Sequence, residues 1–408
     1  DHRDLHLSLR RQRQMCIRDS SGDVPTDVDY VLVLDSEDNS TFASAVPKSD
    51  GTYYMFISGN WIATGEMFFG LNRNGFGDFL LYRNSTNGTQ FVGSETFNAM
   101  KIQGVIDDGF TSSNRLSGVD VCNDYTSAAP TCYNSISNVT DGLDYYEVYF
   151  EDPGVETVDV KFTNTAGEIS WVNDFTDALG FGVYTTQGNA ANDSALDPGE
   201  MYEFNLTYIV SCIVPDDIAF ITLRDNNASG AIYSAAIPLS GTGSYTMYVS
   251  GNWSAALNST YQPDGGVWEL RLEKPSGTVV MNDTLEGTSV FTSDYLAFCA
   301  GKINGTVPGT GHLASGSVRA YVSAGQYCGV GYNSSASITA TNPATYEIYL
   351  LNDTSYYLDF CDPSLNTEYE TLVAKSVTAG EMGTLNLSMV TGKLDDDFAV
   401  GGNAIITV

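Results

Sequence analysis

Gly51–Trp61 reads GTYYMFISGNW and Gly243–Trp253 reads GSYTMYVSGNW, with seven of eleven positions identical. Two further blocks recur in the same order. Tyr146–Phe150 (YEVYF) returns as Tyr346–Leu350 (YEIYL), and Gly199–Thr207 (GEMYEFNLT) as Gly380–Ser388 (GEMGTLNLS). The offsets are 192, 200 and 181 residues, so the copies differ by loop insertions and deletions, which β-domains tolerate. A fourth block marks the junction: Val24–Leu34 (VPTDVDYVLVL) matches Val214–Leu223 (VPDDIAFITL). Leu394–Val400 (LDDDFAV) opens the same way once more and is followed by Ala404–Val408 (AIITV). A chain that repeats ordered blocks must build one structure more than once. We expect repeat 1 over 21–213, repeat 2 over 214–393 and the start of a third repeat over 394–408.

Each block is patterned as a strand. Val158, Val160 and Phe162 alternate with Asp159 and Lys161, the period of two of a half-buried antiparallel strand. Tyr30–Leu34 and Ala219–Leu223 are nearly continuous apolar runs, as strands buried on both faces are. Glycine- and asparagine-rich turns lie between, such as Asn72–Gly77 and Asp264–Gly266, and no long window has a period of 3.6. The expected fold class is all-β, a tandem series of antiparallel β-sandwiches of Ig-like or jelly-roll-like form. Within each repeat the pattern predicts a longer lobe, 23–152 or 214–353, and a shorter one after it.

Residues 1–20 stand apart. They hold five of the eleven arginines and two of the three histidines. The run Leu9–Ser20 (LRRQRQMCIRDS) resembles a translated sequencing adapter, so the segment is expected to be non-native and is set aside. The rest carries 47 acidic against 13 basic side chains, a net charge near −34. That balance argues against nucleic acid, which is held by basic side chains displacing counterions, and against anionic lipid. No apolar run reaches the ~18 residues of a membrane-spanning helix.

Cysteine and asparagine usage point outside the cell. Without Cys16 there are six cysteines, Cys122, Cys132, Cys212, Cys299, Cys328 and Cys361, with no CxxC pair. An even count predicts three disulfides. The expected pairs are Cys122–Cys132 and Cys299–Cys328 inside the repeats, which leaves Cys212 with Cys361. Fourteen asparagines sit in N-x-S/T: Asn39, Asn84, Asn87, Asn138, Asn192, Asn205, Asn227, Asn252, Asn258, Asn282, Asn304, Asn333, Asn352 and Asn386. Random neighbours in this composition supply about five. By parity, Asn205 lies opposite Tyr202, Phe204, Leu206 and Tyr208, and Asn386 opposite Leu385 and Leu387, so both are expected to face water.

Candidate chemistry is sparse. The one histidine after residue 20, His312, lies in the glycine-rich stretch Gly309–Gly316 with no nucleophile elbow beside it. No catalytic residue is therefore assigned. A glycosidase needs only two carboxylates. Glu147 and Glu347 recur, but with Tyr146, Val148 and Phe150 on the other face they are expected in solvent. Calcium is the better use of the acids. Asp225, Asn227 and Ser229 in DNNASG place oxygens at alternate positions before a glycine, as the first half of a calcium loop does. The repeat partner DSEDNS offers Asp35, Glu37 and Asn39. Of the tryptophans Trp61, Trp171, Trp253 and Trp268, the recurring Trp61 and Trp253 are expected to seat the SGNW turn on the core rather than to stack on sugar.

Gly325–Tyr327 (GQY) followed by Tyr346–Leu350, with the strand before Pro275–Gly277, resembles the pre-peptidase C-terminal domain family of secreted β-sandwiches. Leu196–Glu200 (LDPGE) and Thr378–Glu381 (TAGE) resemble the turn before a late strand in Ig-like modules of bacterial and archaeal surface proteins. Neither family implies a catalytic centre. The expectation is an extracellular or cell-surface glycoprotein, structural or adhesive, whose partners are other surface proteins, copies of itself or glycans. A carbohydrate-binding module of a secreted hydrolase is the alternative.

Overall fold

The computed structural model describes residues 17–35, 37–38, 40–58, 67–73, 81–84, 95–105, 115–123, 130–133, 135–140, 145–154, 158–175, 196–225, 232–250, 267–286, 295–307, 315–323, 328, 332–341, 343–352, 355–361 and 371–387. Their regular structure is 28 β-strands, with no helix among the described residues. The chain divides into two compact units, Asp1–Cys299 and Ala300–Val408.

The strands fall into four sets of seven. Sandwich 1 comprises β1 (Ile17–Asp23), β2 (Tyr30–Asp35), β3 (Thr41–Ala45), β4 (Thr52–Ser58), β5 (Met67–Asn72), β6 (Leu81–Asn84) and β7 (Glu95–Thr96). Sandwich 2 comprises β8 (Ala99–Val105), β9 (Leu116–Cys122), β10 (Ser135–Thr140), β11 (Tyr145–Glu151), β12 (Val158–Asn164), β13 (Ile169–Phe175) and β14 (Met201–Glu203). Sandwich 3 comprises β15 (Leu206–Ile213), β16 (Phe220–Asp225), β17 (Ile232–Ile237), β18 (Ser244–Ser250), β19 (Val267–Glu273), β20 (Val279–Glu286) and β21 (Tyr295–Ala297). Sandwich 4, in the second unit, comprises β22 (Ala300–Val307), β23 (Ser317–Tyr321), β24 (Ser334–Ser337), β25 (Ala344–Leu351), β26 (Ser355–Cys361), β27 (Thr371–Ser376) and β28 (Met382–Thr384).

One plan serves all four. The first strand of each set lies between the fourth, antiparallel, and the seventh, parallel, as in β4-β1-β7. In sandwiches 1, 3 and 4 the other sheet runs third, second, fifth, sixth. Sandwich 2 departs from this: β10 pairs with β11 instead, and β13 pairs with β17 of sandwich 3. The result is one seven-stranded sheet, β20-β19-β16-β17-β13-β12-β9, through both sandwiches. Each repeat thus contains two sandwiches. The break falls between β7 and β8 and between β21 and β22, not after 152 and 353, because the YEVYF strand pairs with β8 and the YEIYL strand with β22.

The cores follow the pleat. Val31, Val33, Tyr53, Met55, Ile57, Met67, Phe69 and Leu71 bring the two sheets of sandwich 1 together. Val318, Ala320, Tyr346, Ile348, Leu358 and Phe360 do the same in sandwich 4. Val158, Val160 and Phe162 are buried and Lys161 half-buried, as their alternation predicts; Asp159 on the other face is buried too. Ile17–Ser20 of the segment set aside above form the start of β1. There Ser20 faces Met55 and is buried, at the position where sandwich 3 places Val210 against Met247.

A buried tyrosine closes each sandwich. Tyr53 donates its hydroxyl to the carbonyl of Phe97 at 3.0 Å, Tyr146 to Phe204 at 2.6 Å, Tyr245 to Phe298 at 2.7 Å and Tyr346 to Leu385 at 2.6 Å. The accepting residue follows the seventh strand, so each bond ties the end of a sandwich to its fourth strand. Opposite the tyrosine on the first strand stand Gly22, Gly104, Cys212 and Gly305. Glycine is needed because a Cβ on Gly104 or Gly305 falls 1.9 or 1.8 Å from the accepting carbonyl. Sandwich 3 puts Cys212 there and bonds it to Cys299, the residue after Phe298.

The disulfides are Cys122–Cys132, Cys212–Cys299 and Cys328–Cys361. The first is the pair expected. The other two correct the sequence pairing of Cys299 with Cys328 and Cys212 with Cys361. Cys212 and Cys299 lie on neighbouring parallel segments, Cα–Cα 5.1 Å, and Cys328 lies 5.9 Å from Cys361 on β26. Both separations suit a disulfide.

Candidate functional site

Among the described residues, a cluster of charged side chains lies where sandwich 1 covers the outer face of β8 and β11. By the pleat, Tyr146, Val148 and Phe150 turn into sandwich 2, so Glu147 and Tyr149 turn out of it. They meet Asp27, from the turn before β2, and Arg73, after β5. Arg73 reaches Asp27 at 2.8 Å and Glu147 at 2.5 Å. Lys101 on β8 lies 2.7 Å from each carboxylate. Tyr149 donates its hydroxyl to Asp27 at 2.6 Å, and Lys101 sits 5.0 Å over its ring.

Glu147 is therefore not in solvent as its parity implied: its side chain is 2% exposed, because another sandwich lies on that face. Burial by itself raises the Asp27 carboxyl. The charge and hydrogen bond of Lys101, with Tyr149 and Arg73, outweigh it and hold the group below the usual carboxylate range. The Tyr149 phenol is pushed far up by burial and by Asp27. Two acids facing two cations, each acid touching both, is a closed arrangement of charge.

The second repeat carries matching residues, with a lysine in place of the arginine. Asp217 and Lys274, 3.4 Å apart in the first unit, hold the places of Asp27 and Arg73. In the second unit Lys302 lies 2.5 Å from Glu347, and Tyr349 donates to Glu347 at 3.1 Å. The side chain of Glu347 is 33% exposed. Sequence reasoning named the two glutamates and missed Asp27, Lys101 and Tyr149. The recurrence of Asp217, Lys302 and Tyr349 was the available signal.

Sandwich 4 has a cleft of about 640 Å³ lined by Asn304, Thr306, Thr339, Thr345, Tyr346, Glu347, Thr384 and Asn386, among others. Its walls are mostly hydroxyl and amide groups. Asn386 accepts from the backbone N–H and the hydroxyl of Thr306 at 3.0 and 3.1 Å, and Asn304 accepts from Thr384 at 3.2 Å. In sandwich 2 the equivalent Asn205 accepts from Val105 N–H at 2.8 Å and donates to Glu203 at 3.0 Å. Both sequon asparagines are thus held by the N–H of the first strand. Tyr202, Phe204 and Leu206 are buried while Asn205 is half-buried and Asn386 exposed.

Of the other sequons, Asn282 and Asn333 are exposed and Asn304 and Asn352 half-buried; Asn282 also donates to Glu269. Asn84 ends β6 and Asn138 lies in β10. Asn39, Asn87, Asn192, Asn227, Asn252 and Asn258 lie outside the described residues, as do His312, Trp61 and Trp253. Trp171 is 2% exposed and packs with Cys122 and Ala235, a core position rather than a platform.

Of the calcium candidates, the side chains of Asp35 and Glu37 are described. Asp35 accepts from the Glu37 N–H at 2.9 Å, a local turn, and Glu37 is exposed. Asp225 ends β16, while Asn227, Ser229 and Asn39 lie outside the described residues. Among the described residues no three His, Cys, Asp or Glu side chains are grouped to hold a metal.

No family model matches the chain, and no curated protein does. Among solved structures it is similar to the Bacillus anthracis TIE protein: 11% identity, 91% of this chain and 68% of that one, TM-score 0.17. It is similar to the T6 backbone pilin of serotype M6 Streptococcus pyogenes at 11% identity, over 92% and 97% of the chains, TM-score 0.13. The S-layer protein rSbsC(31-844) is matched at 9% identity over 90% and 54%, TM-score 0.09. Likeness this loose carries no argument for this chain.

Proposed function

We propose that this chain is an extracellular, N-glycosylated repeat protein with a structural or adhesive role at a cell surface, as a stalk, coat or surface-layer component. The observation that carries the reading is what recurs. The tyrosine-to-carbonyl bond is present four times and the glycine beneath it three times, while the charged groups that recur are committed to ion pairs. Three disulfides suit an oxidising compartment. The sequon amides of Asn205 and Asn386 are positioned at matching places, with the Asn386 side chain in solvent. Protease shaving of intact source cells, followed by glycopeptide mass spectrometry, tests this. Recovery of glycopeptides containing Asn205 or Asn386 is expected; bare sequons throughout, with free thiols, defeat it.

A second reading, carbohydrate binding, is favoured by the hydroxyl- and amide-lined cleft of sandwich 4. Two sequons, Asn304 and Asn386, line the same cleft, so the protein's own glycan competes for that space. A glycan array run with glycosylated and enzymatically deglycosylated protein separates the two. Binding that appears in either form establishes the second reading.

A further inference from the structure

Each sandwich is fastened at one recurring position, the residue after the acceptor of its closing tyrosine: Asn98, Asn205, Cys299 and Asn386. Asn98, Asn205 and Cys299 stand immediately before β8, β15 and β22, where the chain passes to the next sandwich. In sandwiches 1, 2 and 4 the asparagine amide oxygen accepts a backbone N–H near the end of the first strand. The donors are Asp23 at 3.1 Å, Val105 at 2.8 Å and Thr306 at 3.0 Å, and the bonds join residues 75, 100 and 80 positions apart. In sandwich 3 the join is covalent, from Cys212 to Cys299, 87 positions apart.

The difference decides what a pull along the chain can do. Once a hydrogen bond of this kind breaks, tension can draw out all the chain between its two ends. A disulfide does not yield in that way. Tension arriving at Ala300 passes from Cys299 through the sulfurs to Cys212, and on along β15 to Leu206. That part of β15 is already extended. A strand rises roughly 3.2 to 3.4 Å per residue against a limit of about 3.6 Å, so the path from Leu206 to Cys212 can lengthen by only about 2 Å. Force favours unfolding in proportion to the length gained. With so little to gain, tension has almost no purchase on β16 to β21, all of which lie between the two cysteines.

We propose that the Cys212–Cys299 disulfide is a load bypass: tension on the chain runs past sandwich 3, which stays folded while the hydrogen-bonded sandwiches yield. The enclosed strands include β17, the partner of β13 in the sheet shared with sandwich 2. When tension falls, β17 is still in place as a template on which sandwich 2 closes again. The bypass follows from chain connectivity and is independent of the surface role proposed above.

Single-molecule pulling of the full chain by handles at its two ends tests this. The oxidised chain is expected to open with no step from the 87 positions between Cys212 and Cys299. The double variant Cys212→Gly, Cys299→Asn gives sandwich 3 the closure of the other three and is expected to add a step of about 300 Å. Reducing the folded wild-type chain in place is expected to add the same step, a measurement that does not depend on the variant folding. The lengths freed at Cys122–Cys132 and Cys328–Cys361, 10 and 33 positions apart, are much shorter and are told apart by size. After relaxation from full extension, sandwich 2 is expected to regain its fold sooner in the oxidised wild type than in the variant. A step of the long kind in the oxidised chain, no such step after reduction, or equal recovery of sandwich 2 in both proteins overturns the proposal.

Discussion

Lys101→Met is the sharpest probe of how the first two sandwiches hold together. Lys101 is 3% exposed and lies 2.7 Å from both Asp27 and Glu147, themselves 25% and 2% exposed. Removing it leaves two carboxylates sharing the one cation Arg73, with the Tyr149 hydroxyl still on Asp27. Orphaning one side of a buried ion pair destabilises by about 3 to 5 kcal/mol. Because Arg73 stays within 2.8 Å of Asp27 and 2.5 Å of Glu147, the low end, about 3 kcal/mol, is expected. Replacing all four charges together (Asp27→Asn, Arg73→Met, Lys101→Met, Glu147→Gln) is expected to recover most of the loss, since the desolvation of the ions goes with them.

The pH dependence follows from Asp27. Its carboxyl is lowered in the fold, so its contribution is present above the unfolded value of about 3.9 and is lost as pH falls through the folded one. The gap between wild type and Lys101→Met should therefore narrow in acid. Amide hydrogen exchange of β8 and β11 in the full chain measures both quantities. A variant within about 0.5 kcal/mol of wild type at pH 7, or a gap unchanged below pH 4, refutes the reasoning.

Tyr346→Phe is expected to cost about 1 kcal/mol. Burial pushes the Tyr346 phenol up to about 12, so the fold keeps this contribution below the unfolded value of about 10 and loses it as pH rises from there through about 12; stability of the variant should fall less steeply over that range. Gly104→Ala forces a Cβ to 1.9 Å from the Phe204 carbonyl and should cost at least about 2 kcal/mol, seen as faster exchange in β14. Ser20→Val, which gives sandwich 1 the residue type that Val210 supplies in sandwich 3, should stabilise by about 1 kcal/mol and raise the thermal midpoint.

Much of this was legible in the chain. The alternation in Val158–Phe162 and the recurring blocks carry the all-β class and the parity of Asn205 and Asn386, because a period of two is a local property. What two copies hid was where one sandwich of a repeat ends and the next begins. Odd and even sandwiches have diverged so far that Tyr53 and Tyr146 align by hydrogen bonding rather than by neighbours. Glu147 was misplaced for a related reason: parity says which face of its own sheet a residue takes, never whether another sandwich lies against that face. Cys212 was legible in principle. It occupies the position of Gly22, Gly104 and Gly305, where the chain after the seventh strand comes close enough for a sulfur to bridge.

The pairing of β13 with β17 has a consequence for how this molecule can be divided. A cut between sandwiches 2 and 3 opens two strand edges at once, each a row of unsatisfied N–H and C=O groups. Ile169 and Trp171 line one, Ala235 and Ile237 the other, so both edges are also apolar. Such edges pair with any strand available. Fragments ending after sandwich 2 or beginning at sandwich 3 should aggregate, and the pair is inherited, expressed and degraded most safely as one piece.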